Sequence, residues 1–190
     1  GRSPIPFLDA LSAQTLDWSR VTVTLVDERW VAVDSADSNE ALVRRHLLRG
    51  HAAVAHFVPL KTPAVSPEAG VAAALALRPA LPLPFDAVVL GMGEDGHIAS
   101  LFPRAAGLAE ALDMSGDAEL ACIHPPLAPH ARLTLTLAGL LDTRRLFVQA
   151  GGAKKRAALE RAAAQGDPLR LPVAAVLQQR KVVPELFFCV

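Results

Sequence analysis

Short apolar runs recur along this chain, at Val21–Val26, Phe85–Gly91, Leu120–His124, Arg132–Leu137, Arg145–Ala150 and Glu185–Val190, with helical patterns between several of them. Runs this short and apolar read as buried strands. Their alternation with helices confines the chain to layered α/β architectures. The helical stretches carry start signals. Pro4–Leu16 opens with Ser3 as N-cap and Pro4 at the first helical position, and Ser38–Leu48 opens on a capping serine. Ser66–Arg78 begins Ser66-Pro67-Glu68, with an acid in the first turn, and alanine-rich Lys154–Ala164 stops at Gly166-Asp167-Pro168. Thr62–Pro67 and Arg78–Pro84 are proline-containing loops rather than boundaries, so residues 1–190 read as a single domain.

Composition removes whole classes of function. The chain has 190 residues, enough for one domain with a real core, and 52% of them are hydrophobic. With 19 basic and 19 acidic residues the formal net charge is zero, which argues against nucleic-acid or anionic-membrane partners. No apolar run approaches the roughly 18–20 residues of a spanning helix, and Gly1-Arg2-Ser3-Pro4 is no signal peptide. Cys122 and Cys189 lack a CxxC or a histidine at zinc spacing, so they read as buried thiols with no metal site. A soluble, cytoplasmic monomer or weak homodimer is expected. The chain opens without Met on what reads as a strand-to-helix loop. The expectation is therefore an N-terminal truncation that removes the strand feeding that loop.

Four loops at predicted strand ends carry chemistry. After Phe85–Leu90 comes Gly91-Met92-Gly93-Glu94-Asp95-Gly96-His97, a glycine-rich turn with an acid and a histidine. Ligand crevices of open α/β sheets lie at that end of the strands. His97 is a candidate general base for water, with Asp95 fixing its tautomer or supporting its charge. The spacing Gly91-x-Gly93-x-x-Gly96 also matches a dinucleotide fingerprint, but Glu94 and Asp95 would face the pyrophosphate and Pro103 curtails any following helix. After Val21–Val26 comes Asp27-Glu28-Arg29-Trp30, where Arg29 suits a phosphate or forms ion pairs in a solvated loop. Gly151-Gly152-Ala153-Lys154-Lys155-Arg156 opens a helix with cations against its dipole, an arrangement that an anion would relieve. Arg132 heads a strand and is either a phosphate contact or a strand-end charge. His46, His51, His56, His124 and His130 show no metal-ligand pattern. Together the loops imply a small phosphorylated substrate and water-mediated or proton-transfer chemistry.

These segments carry a resemblance. Gly91 to Pro103 looks like the signature of 6-phosphogluconolactonases. Asp27-Glu28-Arg29-Trp30-Val31 with Asp37-Ser38-Asn39 resembles their second motif, and Gly1-Arg2-Ser3-Pro4 the end of their phosphate loop. Ala131 to Thr136 and Gly152-Ala153-Lys154-Lys155 complete the order. The resemblance implies a mainly parallel sheet with helices on both faces, the fold of sugar-phosphate isomerases, here lacking its first helix and strand. It implies hydrolysis of 6-phosphoglucono-1,5-lactone to 6-phosphogluconate, in the oxidative pentose phosphate pathway, without a cofactor. By the same resemblance His97 is the base beside Asp95, and Gly1, Arg2, Ser3, Asp27, Arg29, Gly93, Arg132 and Lys155 bind the substrate or its phosphate. Amides of the Gly91–Gly96 loop are our own choice for the oxyanion. The first glycine of the phosphate loop is absent, and Val31-Ala32 replaces the common Val-Pro. The nearest rival is glucosamine-6-phosphate deaminase, in which Asp27 would abstract a proton. Arg29 in place of an aromatic and Ser100-Leu101-Phe102-Pro103 in place of Phe-Asn-Glu-Pro count against it. A non-catalytic sugar-phosphate sensor is the other alternative.

Overall fold

A computed structural model describes residues 3–189. In chain order the helices are α1 (Ile5–Ser12), α2 (Asn39–His46), α3 (Pro67–Leu75), α4 (Leu108–Leu112), α5 (Leu137–Leu140), α6 (Ala153–Gln165) and α7 (Val173–Gln178). The strands are β1 (Thr22–Thr24), β2 (Asp27–Arg29), β3 (His56–Val58), β4 (Val88–Gly91), β5 (Leu120–Ile123), β6 (Arg132–Leu135), β7 (Leu146–Gly151) and β8 (Pro184–Cys189). The α/β reading holds, and two of the predicted caps are seen. Ser38 accepts from the Ala41 amide at 3.1 Å and Ser66 from the Ala69 amide at 3.3 Å. Helix α1 differs: Pro4 is its N-cap and no side chain caps it, so Ser3 does not serve there.

The strands form three small sheets. Strand β1 pairs parallel with β3, and β4-β7-β8 is parallel throughout. In the latter, Gly91 stands beside Gln149, so the loops leaving β4 and β7 emerge side by side. The third sheet, β2-β6-β5, is antiparallel. Asp27-Glu28-Arg29 was expected as a charged loop and is instead a strand of that sheet. Its pattern escapes a hydrophobicity reading because the middle residue, Glu28, is buried as an acid. The Glu28 carboxylate accepts from the amides of Arg29, Asn39 and Glu40, each at 2.7 Å, and from the Ser38 hydroxyl at 3.0 Å. A carboxylate at the N-terminus of α2 satisfies otherwise orphaned donors and complements the helix dipole. One continuous apolar cluster, including Leu90, Ile98, Leu133, Leu146, Val148 and Val176, supports all three sheets. No helix among the described residues is long and apolar enough to cross a membrane.

Candidate active site

Strand β4 delivers its loop to the outer edge of the core, where Met92 bridges to Ile98 and the Gly93 amide donates to the His97 carbonyl at 2.9 Å. Gly96, at φ +80°, sits against Leu171, and its carbonyl accepts from the Val173 amide that opens α7. The positive φ is why glycine occupies that corner. Closed this way, the turn holds Asp95 and His97 together. His97 Nδ1 lies 2.6 Å from Asp95 Oδ1, and the His97 amide donates to the same oxygen at 3.2 Å. That hydrogen bond pulls the Asp95 carboxyl below its ordinary value, against the opposing effect of burial. An ionised carboxylate only accepts, so the proton sits on Nδ1 and Nε2 carries the free lone pair. The imidazole remains 30% exposed.

The loop is tied across to the antiparallel sheet. Ser100 is buried, its amide donating to Thr134 Oγ1 at 3.2 Å and its hydroxyl to Asp27 Oδ2 at 2.5 Å. The Asn39 side-chain amide donates to the Asp27 carbonyl at 2.9 Å and to its Oδ1 at 3.2 Å. Asp27 and Thr134 are cross-strand partners, and the next pair on that face is Arg29 with Arg132. Two guanidinium groups thus stand opposite each other on one sheet face, where like charges are unfavourable. Arg132 is 7% exposed, and burial, then Arg29, pull it below its ordinary value while Asp27, Glu28 and Asp37 push back. Arg29 donates to the Asp37 carbonyl at 2.5 Å and Arg132 to the Pro129 carbonyl at 3.3 Å. The Nε–H groups of both are buried without an acceptor among the described residues. Buried cationic donors lacking acceptors are what an oxyanion would satisfy.

Phe102 joins the two halves. Its ring lies 4.3 Å from the His97 ring, centre to centre, and the Arg132 guanidinium carbon is 5.4 Å from the Phe102 ring centre. The imidazole and Arg132 therefore pack against the same aromatic ring. At the neighbouring edge α6 begins beside the loop, and Lys154 reaches Glu94 at 3.1 Å. Lys155 is half-buried and has no ion-pair partner among the described residues.

The structure thus brings together His97, Asp95, Gly93, Asp27, Arg29 and Arg132. Ser3 is exposed before α1, and no hydrogen bond among the described residues ties it to the cluster. Gly1 and Arg2 lie outside the described residues. Of the Gly91–Gly96 amides chosen from the sequence for the oxyanion, those of Gly93 and Gly96 already donate inside the turn, to the His97 and Gly93 carbonyls. Between Gly93 and His97 the amides of Glu94 and Asp95 make no backbone hydrogen bond among the described residues. The dinucleotide fingerprint, already disfavoured by Glu94, Asp95 and Pro103, also lacks the helix that should follow it directly, since the next one in the chain, α4, starts only at Leu108. Glu28, Asn39, Ser100 and Phe102 were not singled out for roles; all lie inside the quoted motifs.

With the geometry in view, comparison with known proteins is specific. The family profile described as glucosamine-6-phosphate isomerases/6-phosphogluconolactonase matches residues 1–184. The chain belongs to that family. It is 50% identical over 178 residues to the 6-phosphogluconolactonase of Pseudomonas aeruginosa, covering 94% of this chain and 75% of that protein. It also resembles the crystal structure of a 6-phosphogluconolactonase from Shewanella baltica, with a TM-score of 0.93 and 41% identity, covering 99% of this chain and 80% of that one. A monomeric glucosamine-6-phosphate deaminase, at TM-score 0.78 and 16% identity over 99% of this chain and 82% of that one, shares the fold alone.

Proposed function

We propose that this chain hydrolyses 6-phosphoglucono-1,5-lactone to 6-phosphogluconate, in the oxidative pentose phosphate pathway, as a cytoplasmic monomer or weak homodimer. The observation that carries the reading is the His97–Asp95 pair, with Nε2 unbonded among the described residues and with Phe102 in contact with both the imidazole and Arg132, which stands opposite Arg29. Arg29, Arg132 and Lys155, with Ser3 and the chain before it, hold the phosphate. That anchoring sets the lactone carbonyl near the imidazole. His97 Nε2 takes a proton from water, and the water oxygen bonds to C1. The tetrahedral oxyanion that forms is met by the Glu94 amide. It collapses with cleavage of the C1–O5 bond, and His97 returns its proton to O5. The imidazolium formed in passing is stabilised by Asp95. The chemistry requires no cofactor.

The deaminase alternative would need Asp27 free to abstract a substrate proton. Both of its carboxylate oxygens are engaged, by Ser100 and Asn39, which favours a positioning role. A coupled assay with freshly prepared 6-phosphogluconolactone, run beside glucosamine 6-phosphate, tests the reading. Acceleration of lactone opening above the spontaneous rate, with no ammonia from the amino sugar, is expected. Ammonia release without lactone hydrolysis would overturn it.

A further inference from the structure

On the far side of the antiparallel sheet, three donors meet for which the proposed reaction has no use. Residues opposite one another in an antiparallel pair share a face, and alternate residues along a strand share it too. Arg29, Arg132 and Ile123 form one such row; Glu28, Leu133 and Cys122 form the row on the other face. His124 follows two residues after Cys122 and falls on that same far face. Helix α3 packs there, seated by the Trp30 ring in the notch that Gly70 leaves. Its first turn presents Glu68. His124 Nε2 lies 2.8 Å from Glu68 Oε1, Cys122 Sγ 3.6 Å from the same oxygen, and Sγ 3.7 Å from the same nitrogen.

We propose that Glu68, Cys122 and His124 form a non-catalytic site for a borderline-soft divalent cation of the Zn²⁺ type. Tetrahedral zinc with ordinary bond lengths sets its ligand atoms about 3.5 Å apart for sulfur and nitrogen and about 3.4 Å apart for nitrogen and oxygen. The observed triangle needs only a small opening of the His124–Glu68 edge to match. The mix of thiolate, imidazole and carboxylate suits zinc or cobalt over magnesium or calcium. Solvent supplies the fourth position, since the Glu68 and His124 side chains are 60% and 63% exposed.

The same residues do not make a nucleophile. In a Cys-His-acid triad the base uses one ring nitrogen for the thiol and the other for the acid. Here Nε2 faces both, so the three atoms converge on one point instead of forming a relay. On binding, the Cys122 S–H proton leaves to solvent, a sulfur–metal bond replaces it, and His124 keeps its remaining proton on Nδ1. The cation then clamps the start of α3 to the end of β5. Neither thiol is the buried cysteine expected from the sequence: Cys122 is half-exposed and Cys189 exposed.

The test is titration of chelator-treated, tag-free full chain with Co²⁺ and Zn²⁺. One equivalent of Co²⁺ is expected to give a thiolate-to-cobalt charge-transfer band that Zn²⁺ abolishes by displacement, and Zn²⁺ is expected to raise the Tm. Cys122→Ser should lose the band and weaken Zn²⁺ binding by more than about 100-fold, beyond what losing an outer-shell partner costs. His124→Gln serves as the second variant, with the same loss expected. His97→Ala and Cys189→Ser should keep band and affinity. A wild-type complex without the band, a band that survives Cys122→Ser, or one lost in His97→Ala or Cys189→Ser would overturn the proposal.

Discussion

Gly93 lies so close beneath the His97 imidazole that a Cβ there would overlap Nδ1 and Cε1. Its φ is not in the left-handed region, so the backbone would accept alanine; the His97 ring and the Asp95 carboxylate would have to move. Gly93→Ala should therefore keep the fold and lose on the order of 10²-fold in kcat, the scale expected for a misplaced catalytic group. Full activity in that variant would show that the ring position is not critical. Asp95 gives a second prediction. Its carboxyl titrates below its ordinary value because His97 donates to it. A folded value below the unfolded one contributes stability above the ordinary aspartate range, near ~3.9, and loses it as pH falls through the folded value. The stability gap between the wild type and Asp95→Asn, followed by chemical denaturation, should thus be present at neutral pH and close under acid. A gap independent of pH would contradict the pairing.

At the scale of elements, Glu28 is what joins β2 to α2. Four donors converge on its carboxylate, which is 1% exposed. Glu28→Gln sets an NH₂ group against N–H donors and should destabilise by about 2–3 kcal/mol, read as a lower urea midpoint at unchanged m. It should also raise KM, because Asp27 and Arg29 flank it on the same strand. An unchanged midpoint would remove Glu28 from this role. The sequence made the β4 strand, its glycine turn, the Ser38 and Ser66 caps and the basic start of α6 legible, since each has a local signature. Strand β2 was hidden because its burial pattern is carried by an acid rather than an apolar side chain. Strand β3 and helix α5 are too short for a periodicity to show. Phe102 was visible as part of a motif, but its place between His97 and Arg132 depends on contacts between distant strands. The Glu68–Cys122–His124 cluster depends on how α3 docks, which no spacing encodes.

For the molecule as a whole, the three sheets and seven α-helices among the described residues bring the opposed Arg29 and Arg132 and the His97–Asp95 pair to one edge of the core. The arginine pair stores a repulsion that an anion removes, so inorganic phosphate should stabilise the protein by mass action. At about 100 times its Kd the gain is about 2.7 kcal/mol, or a Tm rise of about 5–11 °C for a chain of this size. Arg132→Gln should abolish most of that rise; an equal rise in the variant would place the anion elsewhere.

The central claim is that His97 and the arginines act on opposite ends of one substrate. The direct measurement is kcat/KM on 6-phosphogluconolactone relative to unphosphorylated gluconolactone, in the wild type, Arg29→Ala and His97→Ala. The account predicts that the preference collapses in Arg29→Ala. It should persist in His97→Ala, where kcat falls by about 10²–10⁴-fold on both lactones. A preference unchanged by Arg29→Ala, or a His97→Ala enzyme with full kcat, would contradict it.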